Sequence, residues 1–327
     1  MVYGLTEAEK EEYLTKFKEF WGPKEWNDNF MKHALKCRPL SIQPGKVSFE
    51  YTVTQESMNL IGMTHGGCIS SLLDTCMGYC FWSPEGTVPQ MTVTADLNIT
   101  FINASRLNDI LLIEGKAIAI RENLLFLEGR VLLKKDKTLL ATAKQTLAVL
   151  GLNSSIIKRP LLKSEDKIFA DEIFLDEKDS EFMESRKIDW EIFEWEKSFS
   201  YFAKNCKIIA ASPGHFYYEF TVEKDHSNTH GYLHGGCLTT LIDICTSHTS
   251  HTIDPNHRVT VSIKVSFIGS AKIGETIIIE TKSPKEGKTI SYLTAKIYKK
   301  DNKSPIAFAH QTMAVVELRR ALQKSNM

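Results

Sequence analysis

Residues 59–74 read NLIGMTHGGCISSLLD, and residues 228–243 read NTHGYLHGGCLTTLID. The two stretches share an Asn, a Gly, a His-Gly-Gly triplet and an Asp at identical spacing. After each triplet, apolar residues recur every three or four positions, which is the spacing of one face of a helix. Each stretch therefore predicts a buried helix that begins at the glycines. The chain is predicted to be organised around these two helices.

The repeat extends over most of the chain. A shift of 169 positions relates the first part of each copy, and a shift of 166 takes over after a three-residue difference near residues 82–90. Equivalent pairs under the two shifts are Trp21 and Trp190, Trp26 and Trp195, Asn59 and Asn228, Asp74 and Asp243, Thr94 and Thr260, and Gln145 and Gln311. A period this long indicates a duplicated domain and not a solenoid of short repeats.

Local patterns predict the same elements in each copy. An aromatic-bearing helix is predicted at residues 26–36 and again at residues 195–205, and a half-buried strand follows at residues 47–53 of the first copy. After the His-Gly-Gly helix, four strands are predicted at residues 91–103, 109–121, 123–134 and 138–150. An apolar helix beside a single sheet needs that sheet to curve around it. The predicted fold class is therefore α+β, with a curved antiparallel sheet wrapped around a long central helix, present twice.

The domain boundaries follow from the repeat and from the charge pattern. A capping-box signature at residues 6–9 begins a charged helix for which the second copy shows no counterpart. Lys, Glu, Asp and Ser are enriched between the copies, as in a surface linker. The predicted segments are an N-terminal helical extension at residues 1–20, a first domain at 21–150, a charged linker at 151–188, a second domain at 189–318 and a C-terminal tail at 319–327.

The composition is typical of a globular chain without a strong overall charge. Of the 327 residues, 43% are apolar, and 40 Lys plus Arg balance 40 Asp plus Glu. We therefore expect no nucleic-acid partner, and no apolar run reaches the ~20 residues of a membrane span. The first ten residues lack the basic and apolar regions of a secretory signal, which predicts a cytoplasmic protein. A mitochondrial location stays open because not every import signal is N-terminal.

The seven cysteines do not predict a metal site or a disulfide framework. Their number is odd, and their spacings match no tetrahedral ligand pattern. Six of them fall into pairs that the internal repeat relates: Cys37 and Cys206, Cys68 and Cys237, and Cys76 and Cys245. Equivalent positions in two copies of one fold predict small buried side chains.

The residue types in the repeated stretch favour a functional site. Two glycines at a helix start leave backbone N–H groups uncovered, at the end of the helix where a negative charge is stabilised. An Asp within an apolar helix is costly unless it is paired or used. The glycines alone are compatible with close helix packing, and the Asp alone with a satisfied buried carboxylate. Their combination with Asn59, repeated intact in a second copy, favours chemistry over packing.

This pattern resembles the hotdog-fold acyl-CoA thioesterases of the PaaI type, including the animal thioesterase-superfamily-member-2 group. The residues that carry the resemblance are Asn59, Gly62, His65, Gly66, Gly67 and Asp74, with their equivalents Asn228, Gly231, His234, Gly235, Gly236 and Asp243. The resemblance implies a tandem double hotdog whose copies form an intramolecular pseudo-dimer. It also implies that two such chains pair through their sheets as a homodimer.

The resemblance further implies two active sites, each composed of residues from both copies. One site would join Asn59, His65 and Gly66 to Asp243 and Thr260. The other would join the equivalent residues, which are Asn228, His234, Gly235, Asp74 and Thr94. The implied reaction is hydrolysis of an acyl-CoA thioester to a free carboxylic acid and CoA, without a metal or an organic cofactor.

The residue types fit that reaction. The N–H of the first or second glycine, together with the Asn amide, would polarise the thioester carbonyl as in an oxyanion hole. The Asp of the partner helix would act as general base on water or as nucleophile, and the Thr hydroxyl would position that water. The two histidines are predicted to orient the loop and not to transfer protons.

A contact with CoA is predicted in the second copy only. The turn at residues 287–289 reads Gly-Lys-Thr and resembles a CoA contact of the family, which gives Lys288 this role. The first copy reads Arg-Glu-Asn at residues 121–123, without the glycine. CoA binding is therefore predicted to be unequal at the two sites.

Three alternatives stay open. A non-catalytic acyl-CoA binder or scaffold would keep the fold without turnover, although Asn, His-Gly-Gly and Asp are intact in both copies. A hotdog hydratase acting on enoyl-CoA would need an Asp/His acid–base pair on a differently patterned helix and loop. A metal site at His230 and His234, with His226, His248 and His251 near in sequence, lacks a carboxylate or Cys ligand and has Ile61 in place of His230 in the first copy.

Overall fold

The computed structural model of the chain describes residues 5–83, 92–149 and 177–315. Most of the predicted linker, residues 151–176, and the predicted tail at residues 319–327 lie outside these ranges. Within the ranges, no helix has the length and apolar character that crossing a membrane requires.

The two halves contain equivalent elements in the same order. In the first half these are α1 (Glu7–Phe20), β1 (Arg38–Gln43), β2 (Lys46–Thr52), α2 (Gly66–Gly78), β3 (Thr92–Phe101), β4 (Ile110–Arg121), β5 (Leu124–Leu133) and β6 (Leu139–Val149). In the second half they are α3 (Glu177–Glu191), β7 (Lys207–Ser212), β8 (His215–Thr221), α4 (Gly235–His251), β9 (Arg258–Phe267), β10 (Thr276–Glu286), β11 (Ile290–Lys299) and β12 (Pro305–Val315).

The twelve strands of the described residues form one antiparallel sheet that both halves share. Its order is β1-β2-β4-β5-β6-β3-β9-β12-β11-β10-β8-β7, so the second half repeats the first half in mirror order. At the centre, β3 pairs with β9, with Asp96 opposite Ser266 and Ile99 opposite Ile263. The Ser266 hydroxyl donates to the Asp96 carboxylate at 3.0 Å. The join between the halves is thus a regular strand pair.

The two central helices lie back to back inside this sheet. α2 packs on β2 to β6, α4 packs on β8 to β12, and the two helices contact each other. Every residue from 67 to 77 in α2 is buried. All seven cysteines are buried thiols, which confirms the prediction for the six that the repeat pairs and adds Cys80. The predicted central helix with its antiparallel sheet is therefore confirmed in each half, as are the strand at residues 47–53 and the four strands after the helix.

Two strands at the sheet edges are absent from the sequence prediction. β1 and β7 are six residues long and read RPLSIQ and KIIAAS, which is too short and irregular for a clear alternation. Each pairs with the next strand across a Pro-Gly turn whose glycine has a positive φ, +78° at Gly45 and +75° at Gly214. A glycine tolerates this conformation without steric cost. The turns were visible in the sequence, whereas the strands before them were not.

The predicted helices at residues 26–36 and 195–205 are wrong in detail, because each segment forms short 3₁₀ turns. The first segment divides into Lys24–Asp28 and Phe30–Lys36, and the second into Trp195–Lys197 and Tyr201–Asn205. The Asn29 side chain accepts from the Met31 N–H at 2.9 Å and donates to the Glu25 carbonyl at 2.8 Å. Side chains that bond the local backbone compete with a continuous helix.

The N-terminal helix has a counterpart in the second half, contrary to the sequence prediction. α3 packs on β7 as α1 packs on β1, and it begins 170 positions after α1. The sequence hides this equivalence because the two helices use different contacts. In α1 Phe17 is fully buried, whereas in α3 Phe182 lies 5.9 Å from the Phe216 ring and Trp190 enters the core. The exact domain boundaries stay predictions.

Candidate active site

The two His-Gly-Gly motifs begin α2 and α4, and in each the histidine caps the helix. The Gly67 N–H donates to His65 Nδ1 at 2.9 Å, and the Gly236 N–H donates to His234 Nδ1 at 2.9 Å. Helix N-caps are side-chain acceptors for one of the first free N–H groups, and an imidazole nitrogen fills that role here. Both rings are buried, so each is held in one orientation at the helix start.

The second glycine of each motif is placed where α2 and α4 cross. A Cβ added at Gly67 would lie 2.4 Å from the Thr240 Oγ1 and Cγ2 atoms, and one added at Gly236 would lie 2.8 Å from the Ser71 Cα. Because their N–H groups already donate to the histidines, Gly67 and Gly236 do not fit the predicted role of carbonyl-polarising donors. They permit close helix packing instead.

The first glycine of each motif has a backbone N–H that can still take the predicted role of donor to a substrate carbonyl. Gly66 and Gly235 are the first residues of α2 and α4, so their N–H groups have no acceptor within the helix. An added Cβ at Gly66 would meet the Asp243 Oδ2 atom at 3.5 Å, and one at Gly235 would meet the Asp74 Oδ2 atom at 2.9 Å. Each helix start therefore faces a carboxylate from the opposite half of the chain.

The Asp74 carboxylate is held by two side chains of its own half. Its Oδ1 atom accepts from the Thr94 hydroxyl at 2.7 Å and from the Gln145 Nε2 at 2.8 Å. Its Oδ2 atom lies 3.9 Å from Nδ1 of His234, across the boundary between the halves. Asp74 is only 7% exposed. One carboxylate oxygen is thus fixed, and the other points to the opposite helix start.

The Asp243 carboxylate has the same arrangement. Its Oδ1 atom accepts from the Thr260 hydroxyl at 2.7 Å and from the Gln311 Nε2 at 2.7 Å. The Gln311 Oε1 atom in turn accepts from the Thr246 hydroxyl. Thr94 and Thr260, which the sequence proposed as water-positioning residues, therefore each bond a carboxylate directly.

Gln145 and Gln311 were not predicted as site residues. Both are about 2% exposed, in strands whose neighbouring inward residues are apolar. The sequence carried a signal for them, since they occupy equivalent positions in the two copies. A buried Gln needs partners for its amide, and a carboxylate on the central helix packed against its strand is one.

Asn59 and Asn228 organise the turns that lead into the helices. The Asn59 Oδ1 atom accepts from the N–H groups of Ile61 at 3.1 Å and Met63 at 3.0 Å. Asn228 bonds the second turn in the same way, with its Oδ1 atom 2.9 Å from the His230 N–H. Because each side-chain oxygen is used within its turn, only the NH₂ group remains to serve a substrate. The predicted role of these amides in carbonyl binding stays a prediction.

Lys288 lies in the turn between β10 and β11, with its side chain exposed. The Gly287 carbonyl beside it accepts from the Arg258 guanidinium at 3.0 Å. Its contact with CoA stays a prediction. The metal alternative finds no group of ligands, since no three His, Cys, Asp or Glu side chains come together in a way that could hold a metal ion within residues 5–83, 92–149 and 177–315.

Burial sets the charge state of the two motif histidines. Desolvation lowers the pKa of His65 and that of His234, while the nearby carboxylates of Asp243 and Asp74 oppose this shift. Both rings are therefore neutral at pH 7, in agreement with Nδ1 acting as an acceptor. With Nδ1 as the acceptor, each neutral ring carries its proton on Nε2. That the histidines orient the loop and do not transfer protons stays a prediction.

This burial predicts a loss of stability in acid. Since the folded pKa is lowered, the unfolded chain takes up these protons first, and stability present above about pH 6.5 falls as the pH drops below it. Each histidine contributes up to about 1.4 kcal/mol per pH unit. We expect the double variant His65→Asn, His234→Asn, which retains capping oxygens, to show a shallower decline between pH 7 and pH 5 in chemical unfolding.

The exposed His230→Asn variant is the control for this measurement, because its side chain is in solvent in the folded chain. It should follow the wild-type curve. Equal slopes for the wild type and the capping double variant would contradict the assignment of neutral buried histidines.

Comparison with known proteins links both halves to one family. A family model described as the thioesterase superfamily matches residues 61–140 and residues 230–306, one segment in each half. Acyl-coenzyme A thioesterase 13 of Homo sapiens is 33% identical to this chain over 106 residues, which cover 32% of this chain and 76% of the relative. The protein of the same name from Mus musculus is also 33% identical over 106 residues, with the same coverage.

Solved structures share the fold over most of the chain. A tesB protein from Mycobacterium avium subs paratuberculosis has a TM-score of 0.59 at 10% identity and covers 88% of this chain and 99% of its own. A hot dog fold protein of unknown function from Alicyclobacillus acidocaldarius has a TM-score of 0.55 at 11% identity, covering 82% of this chain and 93% of its own. At these identities the likeness concerns the fold alone, and it confirms the predicted α+β double hotdog.

Proposed function

Because this chain belongs to the thioesterase superfamily, we propose that it hydrolyses acyl-CoA thioesters to a free carboxylic acid and CoA. The observation that carries the proposal is the pair of crossed contacts between carboxylate and helix start. Asp74 approaches the Gly235 end of α4, and Asp243 approaches the Gly66 end of α2. A general base and a carbonyl-binding N–H group are the two parts that hydrolysis of an ester-like bond requires.

Each proposed site is composed of residues from both halves, which makes the chain an intramolecular pseudo-dimer. The first half supplies Asp74 and Thr94 to one site, and the second half supplies His234, Gly235 and Asn228. The other site takes Asp243 and Thr260 from the second half, and His65, Gly66 and Asn59 from the first. The 3.9 Å approach of Asp74 Oδ2 to His234 Nδ1 across the boundary supports this composition.

In the proposed reaction the thioester oxygen accepts from the Gly66 or Gly235 N–H, at the positive end of its helix. The free Asp Oδ2 takes a proton from water, whose oxygen forms a bond to the carbonyl carbon. The tetrahedral intermediate then collapses, the C–S bond breaks, and the proton passes to the CoA sulfur. Direct attack of Oδ2 on the carbonyl carbon is the alternative first step, with water cleaving the resulting anhydride.

The main rival is an acyl-CoA binder without turnover. A binder needs room for the ligand, but it does not need a carboxylate with one oxygen fixed and one free beside a helix start. Both copies retain this arrangement, with Thr–Asp distances of 2.7 Å in each. The intact geometry in two copies favours catalysis.

The test is CoA thiol release from a panel of substrates, from acetyl-CoA to palmitoyl-CoA together with phenylacetyl-CoA. We expect release from part of the panel, and the panel also resolves the acyl preference. Equilibrium binding to the same compounds is measured in parallel. Binding without thiol release across the whole panel would replace the enzyme by the binder, and hydration of an enoyl-CoA without CoA release would identify a hydratase.

A further inference from the structure

The two Asp–Thr–Gln networks differ at one position. In the second half, the Thr246 hydroxyl of α4 donates to the Gln311 Oε1 atom. The equivalent residue in the first half is Met77, and there the buried Gln145 Oε1 atom has no hydrogen-bond partner among the described residues. An unsatisfied buried acceptor is unfavourable, and it leaves the amide orientation less strongly determined.

The strand facing each helix is matched to this difference. A Cβ added at Gly129 of β5 would lie 2.4 Å from the Met77 Sδ atom, so the glycine makes room for the methionine. In the second half the residues equivalent to Gly129 and Met77 are Ala295 and the smaller Thr246. The substitution of Met for Thr is therefore accommodated in the packing of the first half, although not in its hydrogen bonding.

The Thr246 hydroxyl has three acceptors within hydrogen-bond distance. Two of these acceptors are the Ile242 carbonyl at 2.6 Å and the Asp243 carbonyl at 3.2 Å, each of which can also accept a backbone N–H within the helix. The third acceptor is the Gln311 Oε1 atom, which accepts from no other donor in the part of the chain that the structure describes. Directed to Oε1, the proton fixes the amide so that Nε2 faces the Asp243 Oδ1 and the Thr260 Oγ1, both at 2.7 Å.

We propose that Thr246 is a positioning residue that makes the site containing Asp243 the faster of the two. This inference rests on the proposed thioester hydrolysis. Thr246 fixes Gln311, Gln311 occupies Oδ1 of Asp243, and the Oδ2 atom is thereby held toward Gly66. In the other site the Gln145 Nε2 also bonds Asp74 and Thr94, but among the described residues no side chain donates to its Oε1 atom. Fixed polar groups contribute more to catalysis than those that must reorient.

The internal duplication allows each site to be measured alone. Asp74→Asn leaves only the site containing Asp243, and Asp243→Asn leaves only the site containing Asp74. With both backgrounds at saturating acyl-CoA, the Asp74→Asn protein is expected to have the higher kcat. In that background Thr246→Val should lower kcat about three- to tenfold with KM nearly unchanged, since one hydrogen bond is lost without a change in side-chain size.

Two further variants separate positioning from packing. Thr246→Ser keeps the hydroxyl and should restore kcat to within about twofold of its background, whereas a packing role would make Ser worse than Val. In the Asp243→Asn background, Met77→Thr together with Gly129→Ala should raise kcat about threefold or more by supplying Gln145 with a donor. Circular dichroism and thermal unfolding check that each variant is folded.

The outcomes distinguish this inference from the proposed function. Absence of CoA release by the unsubstituted protein would overturn the proposed function itself. If both backgrounds release CoA but Thr246→Val leaves the kcat of the Asp74→Asn protein unchanged, the positioning role is overturned and the proposed hydrolase activity stands. A kcat for Thr246→Ser that is no higher than that of Thr246→Val would also overturn the positioning role.

Discussion

The double variant Asp74→Asn, Asp243→Asn is expected to lose about 10²–10⁴-fold in kcat for acyl-CoA hydrolysis, the usual contribution of a general base. Each single variant should keep one working site and therefore a measurable share of the wild-type rate. Asparagine has the shape of aspartate, and its carbonyl oxygen can accept the Thr and Gln hydrogen bonds that now reach Oδ1. The fold should thus persist while the proton acceptor is removed.

The measurement is thiol release by the wild type, both single variants and the double variant, at saturating substrate. Glu128→Gln is the matched control, because it makes the same carboxylate-to-amide change at an exposed position on β5. It should keep the wild-type kcat. Full activity in the double variant would remove the carboxylates from the mechanism. Loss of all activity in one single variant would mean that only one composite site turns over.

The activity that each single variant retains is the most informative result of this experiment. If only one site turned over, one of the two single variants would lose all activity and the other would keep the wild-type rate. In the proposed arrangement each carboxylate serves the helix start of the opposite half, so Asp74→Asn should leave the site at Gly66 unaffected. Mixed sites of this kind also predict that Asp74→Asn and a defect at Gly235 affect the same site and do not add.

The central helices and the strands after them could be predicted because their signals are local. Alternation and helical spacing are properties of short segments, and a pattern of Asn, Gly, His-Gly-Gly and Asp repeated at one shift is visible without any structure. The edge strands β1 and β7 could not be predicted, since six residues on the sheet edge show little alternation. The sequence did not reveal that α1 and α3 are equivalent, because different residues make their core contacts: Phe17 in α1, and Phe182 and Trp190 in α3.

The site was predicted less completely than the fold. The crossing of Asp74 to the second half was an implication of family resemblance, because no local pattern states which helix faces which. Gln145 was missed because its role depends on a contact between a strand and a helix 71 residues apart. The two glycines of each motif could not be told apart by type. Only the position of Gly67 against Thr240 shows that the second glycine serves packing.

That distinction predicts that Gly67→Ala and Gly236→Ala each lower the free energy of unfolding by about 1–3 kcal/mol, the usual cost of overpacking a core. The new methyl group would lie 2.4 Å from Thr240 in the first variant and 2.8 Å from the Ser71 Cα in the second. Thr240 is fully buried, and the contact with Ser71 is to its backbone Cα atom, so moving either residue would disturb the surrounding packing. Denaturant unfolding measures the effect.

Gly78→Ala is the control, since it makes the same change at the end of α2, where an added Cβ meets nothing within 4 Å. Alanine favours a helix over glycine, so this variant should be as stable as the wild type or up to about 1 kcal/mol more stable. If Gly67→Ala unfolded at the same denaturant concentration as Gly78→Ala, the helices would have room to separate. The crossing of α2 and α4 also sets the distance from Asp74 to Gly235. That result would therefore mean that tight packing at Gly67 is not what holds each Asp near the opposite helix start.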